Sequence, residues 1–453
     1  MFRSIDPATG RVLAEHVPHD PAEVSRRLDA ASASFASWRH ERCEARAEPM
    51  RRLAAILRRD REALARLATA EMGKPIAQAE AEVEKCAGCC EYFAAHAGDY
   101  LAPEPVATDA TTSLVRFDPL GVVLAIMPWN FPFWQVIRAA VPAIMAGDTL
   151  VLKHASNVMG CALALESAFT ESGFPPGVFA ALLVDATGAG ALIDDPRVAA
   201  VTLTGSEAAG RELAARAGRA LKKSVLELGG SDPFIVLADA DVAAVAQAAT
   251  DARLQNNGQS CIAAKRFIVE QAVAERFEAH FARHMAQRRV GDPADRATEL
   301  GPLARPDLVD DLERQVRESV ALGARVLTGG ARPDRPGCFY AATVLIQVSP
   351  GMPAFDEETF GPLGAVVRAR DATEAIALAN RSRFGLGASV WTGDAARGAA
   401  IARELEAGTV FVNGIVRSDA RLPFGGVKHS GWGRELSAFG IREFVNVKTV
   451  WVR

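Results

Sequence analysis

The chain has 453 residues, 49% hydrophobic and 23% charged, a globular balance that fits two or three domains and excludes a disordered or fibrous chain. With 51 Lys plus Arg against 55 Asp plus Glu, the formal net charge is −4, which argues against a protein that coats nucleic acid with a basic face. No apolar run reaches the ~18 residues of a membrane span, the first residues lack the apolar core of a signal peptide, and seven scattered cysteines make no disulfide framework, so a cytoplasmic protein with neither nucleic-acid nor membrane partner is expected.

In chain order, the first hundred residues read as mostly helical. Pro21 to Trp38 and Glu44 to Leu67 place Ala, Leu and Ile at helical spacing among Arg and Glu. The Arg/Glu run from Arg51 to Arg66 reads as a solvated helix face. Cys86, Cys89 and Cys90 share a face of a further helix; one helix rarely closes a tetrahedral metal site, so they read as small buried residues and no metal is expected. Leu114 to Phe117 reads as a strand and Leu120 to Met127 as a buried one. The short apolar runs Leu150 to Lys153, Phe179 to Val184, Val198 to Leu203 and Val225 to Leu228 follow. They are separated by the helical patterns Asn157 to Ser172, Ala186 to Asp194 and Glu207 to Ala217. Alternation of this kind predicts a mostly parallel sheet with helices on both faces. A second block repeats it: strand Phe234 to Leu237, helix Val242 to Leu254 and strand Arg266 to Val269. Helices Glu275 to Arg288 and Leu308 to Leu322 and strand Thr409 to Asn413 complete it. The last stretch, Glu443 to Val452, alternates Phe444, Val447 and Val450 with polar residues; such a strand needs a partner sheet, and another subunit is one source.

Four segments carry chemistry. Gln255-Asn-Asn-Gly-Gln-Ser-Cys261 sets a cysteine in a polar, glycine-containing loop, accessible and ionisable, and a thiolate is a strong nucleophile. Leu226-Glu227-Leu228-Gly229-Gly230 puts a carboxylate at the end of a buried strand, where a parallel sheet faces its ligand crevice. In Pro128-Trp129-Asn130-Phe131-Pro132, two prolines hold Asn130, whose amide suits a developing oxyanion. Thr204-Gly205-Ser206 leads from a strand into a helix N-terminus, which suits a phosphate, although the full G-x-G-x-x-G is lacking.

Together with Leu152-Lys153, Glu358-Thr-Phe-Gly-Pro362 and Pro423-Phe-Gly-Gly426, these segments match in order and spacing, and over its whole length the sequence resembles the NAD(P)-dependent aldehyde dehydrogenase superfamily. The resemblance implies an α/β fold with two open, mostly parallel domains and a small oligomerisation β-extension. The Rossmann-like cofactor domain would comprise 1–104, 120–226 and 421–436, the catalytic domain 227–420, and the extension 105–119 and 437–453. It implies a catalytic Cys261, Glu227 as base and Asn130 in the oxyanion hole. Lys153 and Glu358 would bind ribose hydroxyls and Phe360 would pack beside the nicotinamide. Met127, Pro128, Trp129, Thr204, Gly205, Ser206 and Leu228 would line the same cleft. A homodimer or homotetramer is implied as well.

Within the family the match is best to bacterial succinate-semialdehyde dehydrogenases, carried by Trp134 and Arg138, Leu152-Lys-His-Ala-Ser156 and Arg417-Ser-Asp-Ala-Arg421. Trp134 and Arg138 stand at i and i+4 of a helix and share a face. A ring, a guanidinium and Ser418 would hold a small ω-carboxylate aldehyde. NAD-preferring relatives often carry Glu where Ser156 stands; a small neutral donor there favours NADP, with NAD next. Another aliphatic or aromatic aldehyde is the nearest alternative substrate. An acyl-CoA-forming dehydrogenase usually lacks the acid at position 227, and a non-catalytic protein of this fold would be expected to have lost Cys261 or Glu227.

Overall fold

The computed structural model describes residues 1–453. Two extended sheets, one three-stranded sheet and two two-stranded ones order the chain. The first is built around Val122–Met127, a strand buried almost throughout. Parallel to it on one side run Thr149–His154 and then Phe179–Ala181; on the other run Val198–Thr204 and then Lys223–Glu227. Gly431–Trp432 closes that edge antiparallel to Leu226 and Glu227. The chain thus leaves the centre in one direction and returns to build the other half. The reversal lies between Val122–Met127 and Val198–Thr204, where open parallel sheets place their ligand crevice. Met127, His154, Thr204 and Glu227 are the last residues of their strands and share that end of the sheet. Continuous apolar runs form these strands because helices cover both faces.

The second sheet has seven strands, in the order Arg325–Thr328, Thr343–Ile346, Leu363–Ala369, Arg266–Glu270, Pro233–Val236, Gly387–Trp391 and Thr409–Val412. Only Arg325–Thr328 runs antiparallel. Two of the sequence-predicted helices, Pro21–Trp38 and Val242–Leu254, form over those very residues. In each an aspartate caps the first turn: Asp20 accepts from the Glu23 N–H, and Asp241 from those of Ala243 and Ala244. The single helix expected over Glu44 to Leu67 is two, Cys43–Arg59 and Arg61–Met72, with Asp60 (φ −97°, ψ 12°) between them. The apolar spacing runs through the break, which is why periodicity does not reveal it.

Val445–Val452 finds its partner in its own chain: it pairs antiparallel with Thr112–Pro119 from Val445 opposite Pro119 to Val452 opposite Thr112. With Glu104–Pro105 these strands form a three-stranded sheet whose outer edge is Val445–Val452. Val447, Trp451 and Val452 are exposed there.

Two helices frame the site. Trp134–Ala146 is buried all round, Pro142 included, and apart from Gln135 and Arg138 it is apolar for that reason. Its first turn is capped from a distance: the Glu82 carboxylate accepts the N–H groups of Phe133 and Trp134, both at 2.9 Å, and is ion-paired with buried Lys74. Glu82 belongs to the long helix Ile76–Tyr100, which turns Cys86, Cys89 and Cys90 into the core. Burial pushes all three thiols up, and all seven cysteines are free. No helix is long and apolar enough to cross a membrane.

Candidate active site

The Cys261 loop is a left-handed run. Asn256 (φ 55°), Asn257 (φ 58°) and Gly258 (φ 77°) bend it sharply after the helix Val242–Leu254. A side chain at Gly258 would collide with the Gly361 carbonyl, so only glycine fits there. Side chains pin the loop. Asn257 donates to the Gly73 and Pro302 carbonyls and accepts the Gly301 N–H. Lys265, fully buried, donates to the carbonyls of Ser260 (3.1 Å), Cys261 (2.7 Å) and Ala263 (3.1 Å). Cys261 itself is half-buried. Desolvation pushes its thiol up to about 12, against the pull of the Arg138 and Lys265 charges. Cys261 therefore rests as a thiol, and its use as a nucleophile would need a base.

Asn130 lies beside this loop. Its Nδ2 donates to the Gln259 carbonyl (3.1 Å), and its own carbonyl accepts from the Asn256 side chain (2.7 Å). Glu227 is 2% exposed and neither carboxylate oxygen has a protein hydrogen-bond partner. It is packed so close to Gly425 that a Cβ there would lie 2.7 Å from Oε1. Burial and the nearby Glu435 carboxylate raise its pKa well above the usual range, while Arg138 and Arg434 oppose this. A carboxylate so raised is a stronger base than an exposed one.

A cavity of about 560 Å³ reaches Cys261 and is lined by Trp134, Arg138, Ser418 and Lys85 among others. Trp134 Nε1 donates to Ser418 Oγ at 3.1 Å. Arg138 lines the cavity, but its guanidinium is engaged: Nε is ion-paired with Glu435, both side chains being 2–3% exposed, and its centre stacks 4.4 Å from the Phe424 ring. Glu227 and Asn130 lie outside the lining of this cavity.

On the other side of Cys261 is the carboxyl end of the first sheet. Lys153 is half-buried, has no ion-pair partner, and is depressed by desolvation. Ser156 opens a short 3₁₀ turn and is exposed. His154 between them is neutral, its ring nitrogens against the Met127 and Pro132 carbonyls, and burial lowers it to about 4. Thr204 ends its strand; the Gly205 N–H bonds the Glu227 carbonyl, and Ser206 caps the helix Glu207–Arg219. Leu228 is buried with its N–H on the Ser430 carbonyl. Glu358 accepts the Gly230 N–H (3.0 Å) and stands 3.6 Å from Lys265 Nζ. Phe360 meets Trp129 edge to face at 5.7 Å; Pro128 follows Met127 directly. A half-buried ammonium without an ion-pair partner, an exposed hydroxyl and a helix N-terminus around one crevice fit a phosphorylated dinucleotide.

Lys265, Glu82, Glu435 and Lys85 went unread in the sequence. Glu82, Glu435 and Lys85 act through partners far away in the chain, Lys265 acts on carbonyls of the loop just before it, and none stands in a motif that announces it.

The model of the aldehyde dehydrogenase family matches residues 1–450. The chain belongs to that family of oxidoreductases, and an aldehyde is its substrate. It is 50% identical over 449 residues, 99% of each chain, to a protein of Synechocystis sp. named a probable succinate-semialdehyde dehydrogenase (NADP(+)). It is 49% identical over 448 residues, 99% of this chain and 97% of the other, to a succinate semialdehyde dehydrogenase (NAD(P)+) of Escherichia coli K12. Among solved structures, succinic semialdehyde dehydrogenase from Streptococcus pyogenes in complex with NADP+ superposes with a TM-score of 0.98 at 36% identity, covering 100% of both chains.

Proposed function

We propose that this chain oxidises succinic semialdehyde to succinate, with NADP preferred and NAD accepted. The observation that carries the reading is the cavity ending on Cys261, walled by Trp134, Arg138 and Ser418, a basic and aromatic setting for a small aldehyde with a distal carboxylate. Relatives at about half identity named for that substrate support it.

In this reading Lys153, Ser156, Thr204, Gly205 and Ser206 hold the dinucleotide with Glu358, while Met127, Pro128, Trp129, Leu228 and Phe360 shape its nicotinamide end. The dinucleotide, when bound, supplies the hydride acceptor. The chain supplies the rest. Glu227 as carboxylate takes the Cys261 proton, and the sulfur adds to the aldehyde carbon. Asn130 Nδ2 and the Cys261 backbone N–H donate to the oxyanion of the thiohemiacetal. Oxidation leaves a thioester on Cys261, and Glu227, once it has released the thiol proton to solvent, takes a proton from the water that hydrolyses it. Trp134 limits chain length, and Arg138 and Ser418 face the far carboxylate.

The same reading divides the chain into a cofactor-binding unit (1–104, 120–226, 421–436), a catalytic unit (227–420) and an oligomerisation segment (105–119, 437–453). The exposed apolar edge of Val445–Val452 supports a homodimer or homotetramer. Seven free cysteines fit the cytoplasm. Initial rates with succinic semialdehyde, glutaric semialdehyde and butanal, each with NAD and NADP, test the proposal. The highest kcat/KM is expected for succinic semialdehyde with NADP; a clear preference for butanal refutes the substrate.

A further inference from the structure

We propose that Lys85, acting with Ser418, forms an anion subsite that takes the distal carboxylate of the substrate. The inference rests on the reading that the substrate carries a carboxylate.

Several basic side chains line the cavity that reaches Cys261, and most are already matched. Arg138 is ion-paired with Glu435, Arg288 with Asp251 and Glu299, and Arg296 with Glu80. Arg417 is exposed to water. Lys85 differs from all of them: it is half-buried, and no carboxylate lies within ion-pairing distance. Its ammonium has three N–H donors. It makes one hydrogen bond, to Ser418 Oγ at 2.7 Å, and lies 4.2 Å from the centre of the Trp134 ring. A partly desolvated cation with donors to spare, facing a cavity, is a place for an anion.

Ser418 sharpens the assignment. Its Oγ accepts from Lys85 Nζ (2.7 Å) and from Trp134 Nε1 (3.1 Å). A hydroxyl oxygen has two acceptor sites, and both are filled. Its own O–H is left to donate, away from a cation and an indole N–H. Ammonium and hydroxyl together therefore offer three donors, two N–H and one O–H, and no acceptor, which selects a carboxylate over a neutral tail. Trp134 fixes both through its ring and its N–H.

The charge of Lys85 is adjustable. Burial lowers its pKa to about 8, helped by the Arg138 charge from the helix Trp134–Ala146 and opposed by Cys86, Cys89 and Glu82 on its own helix. Arg417 faces the same cavity from the loop after Thr409–Val412. The ammonium is thus mostly protonated at neutral pH and lost in mildly alkaline solution, so affinity for a carboxylate falls as pH rises through about 8.

The test measures kcat/KM for succinic semialdehyde and for butanal across the neutral to alkaline range, in the native protein, Lys85→Met and Lys85→Arg. Inhibition of butanal oxidation by succinate is measured alongside. In Lys85→Met the succinic semialdehyde-to-butanal ratio is expected to fall about 10- to 100-fold, and succinate to inhibit more weakly by a similar factor. The native ratio should decline above about pH 8, and Lys85→Arg should keep the ratio while losing that decline, because a guanidinium does not titrate there. An unchanged ratio and unchanged succinate inhibition in Lys85→Met overturn the subsite. Should Lys85→Met not fold, persistence of the alkaline decline in Lys85→Arg overturns it equally. If the native protein shows no preference for succinic semialdehyde while succinate inhibition still depends on Lys85, the substrate reading falls and the subsite stands.

Discussion

Replacing Ser156 by glutamate should turn the protein from NADP towards NAD. The strand Thr149–His154 delivers Lys153 and Ser156 to the crevice, and the exposed Ser156 opens the next turn. An introduced carboxylate ~5 Å from a doubly charged 2′-phosphate costs about 1.7 kcal/mol in a water-like dielectric, and salt at physiological strength reduces that to roughly 1. Loss of the serine hydrogen bond to the phosphate adds about 1 kcal/mol. The hydrogen bonds that glutamate gains to the free ribose hydroxyls of NAD bring the shift to about 2–3 kcal/mol, roughly 30- to 160-fold in the ratio of kcat/KM for NADP over NAD. Because the position is exposed, stability should change by no more than about 0.5 kcal/mol. Steady-state rates with both dinucleotides at one aldehyde concentration give the answer. A ratio that moves by less than about threefold would mean that Ser156 does not meet the adenosine ribose.

Cys261→Ala should abolish turnover with the fold intact, and Cys261→Ser should fail as well, since a hydroxyl ionises far less readily than a thiol; turnover by the alanine variant, measured as reduced-cofactor absorbance, would remove Cys261 from the mechanism. Glu227→Gln should slow thioester hydrolysis more than oxidation, so rapid mixing should show a burst of reduced cofactor before a slow steady state; a steady state as fast as the native one would assign the base elsewhere. Arg138→Ala should destabilise the protein by about 3–5 kcal/mol, because Glu435 is left as an unpaired buried carboxylate. Burial raises the Glu435 pKa and Arg138 holds it down. Without Arg138 the folded-state value rises further above the unfolded one, so the stability deficit should be smallest in acid and grow as pH climbs through that value. Adding Glu435→Gln should restore much of the stability, read from urea midpoints. It should leave the succinic semialdehyde-to-butanal ratio lowered by about 2 kcal/mol, roughly 30-fold. An unchanged ratio in that double variant would make Arg138 only the counter-ion of Glu435.

The parallel sheet around Val122–Met127 was readable because helices cover both of its faces, which forces unbroken apolar runs separated by helical spacing. Cys261, Asn130 and Glu227 stood out in the sequence for a different reason: each stands in a short segment whose prolines, glycines or strand end constrain the backbone. The break at Asp60 was hidden because apolar spacing continues across it. The partner of Val445–Val452 was hidden because register between strands hundreds of residues apart leaves no local trace. Lys85 was hidden in the same way. Its neighbour Ser418 is 333 residues away in the chain, and in sequence it is one lysine among the charged residues of a long helix. Arg138 shows the opposite limit. Its place on the face of Trp134 follows from helical spacing, but its ion pair with Glu435 follows only from the fold.

The antiparallel bridge of Gly431–Trp432 to the strand that ends in Glu227 gives the molecule an order of assembly. Residues 431–432 and Glu435 are synthesised long after Arg138 and Glu227. Until they emerge, the strand bearing Glu227 has an open edge, Arg138 lacks its counter-ion and the wall beside Glu227 is missing. A chain stalled short of them lacks the counter-ion that balances Arg138. The pairing of Arg138 with Glu435 thus forms only after the strands of both large sheets have been made.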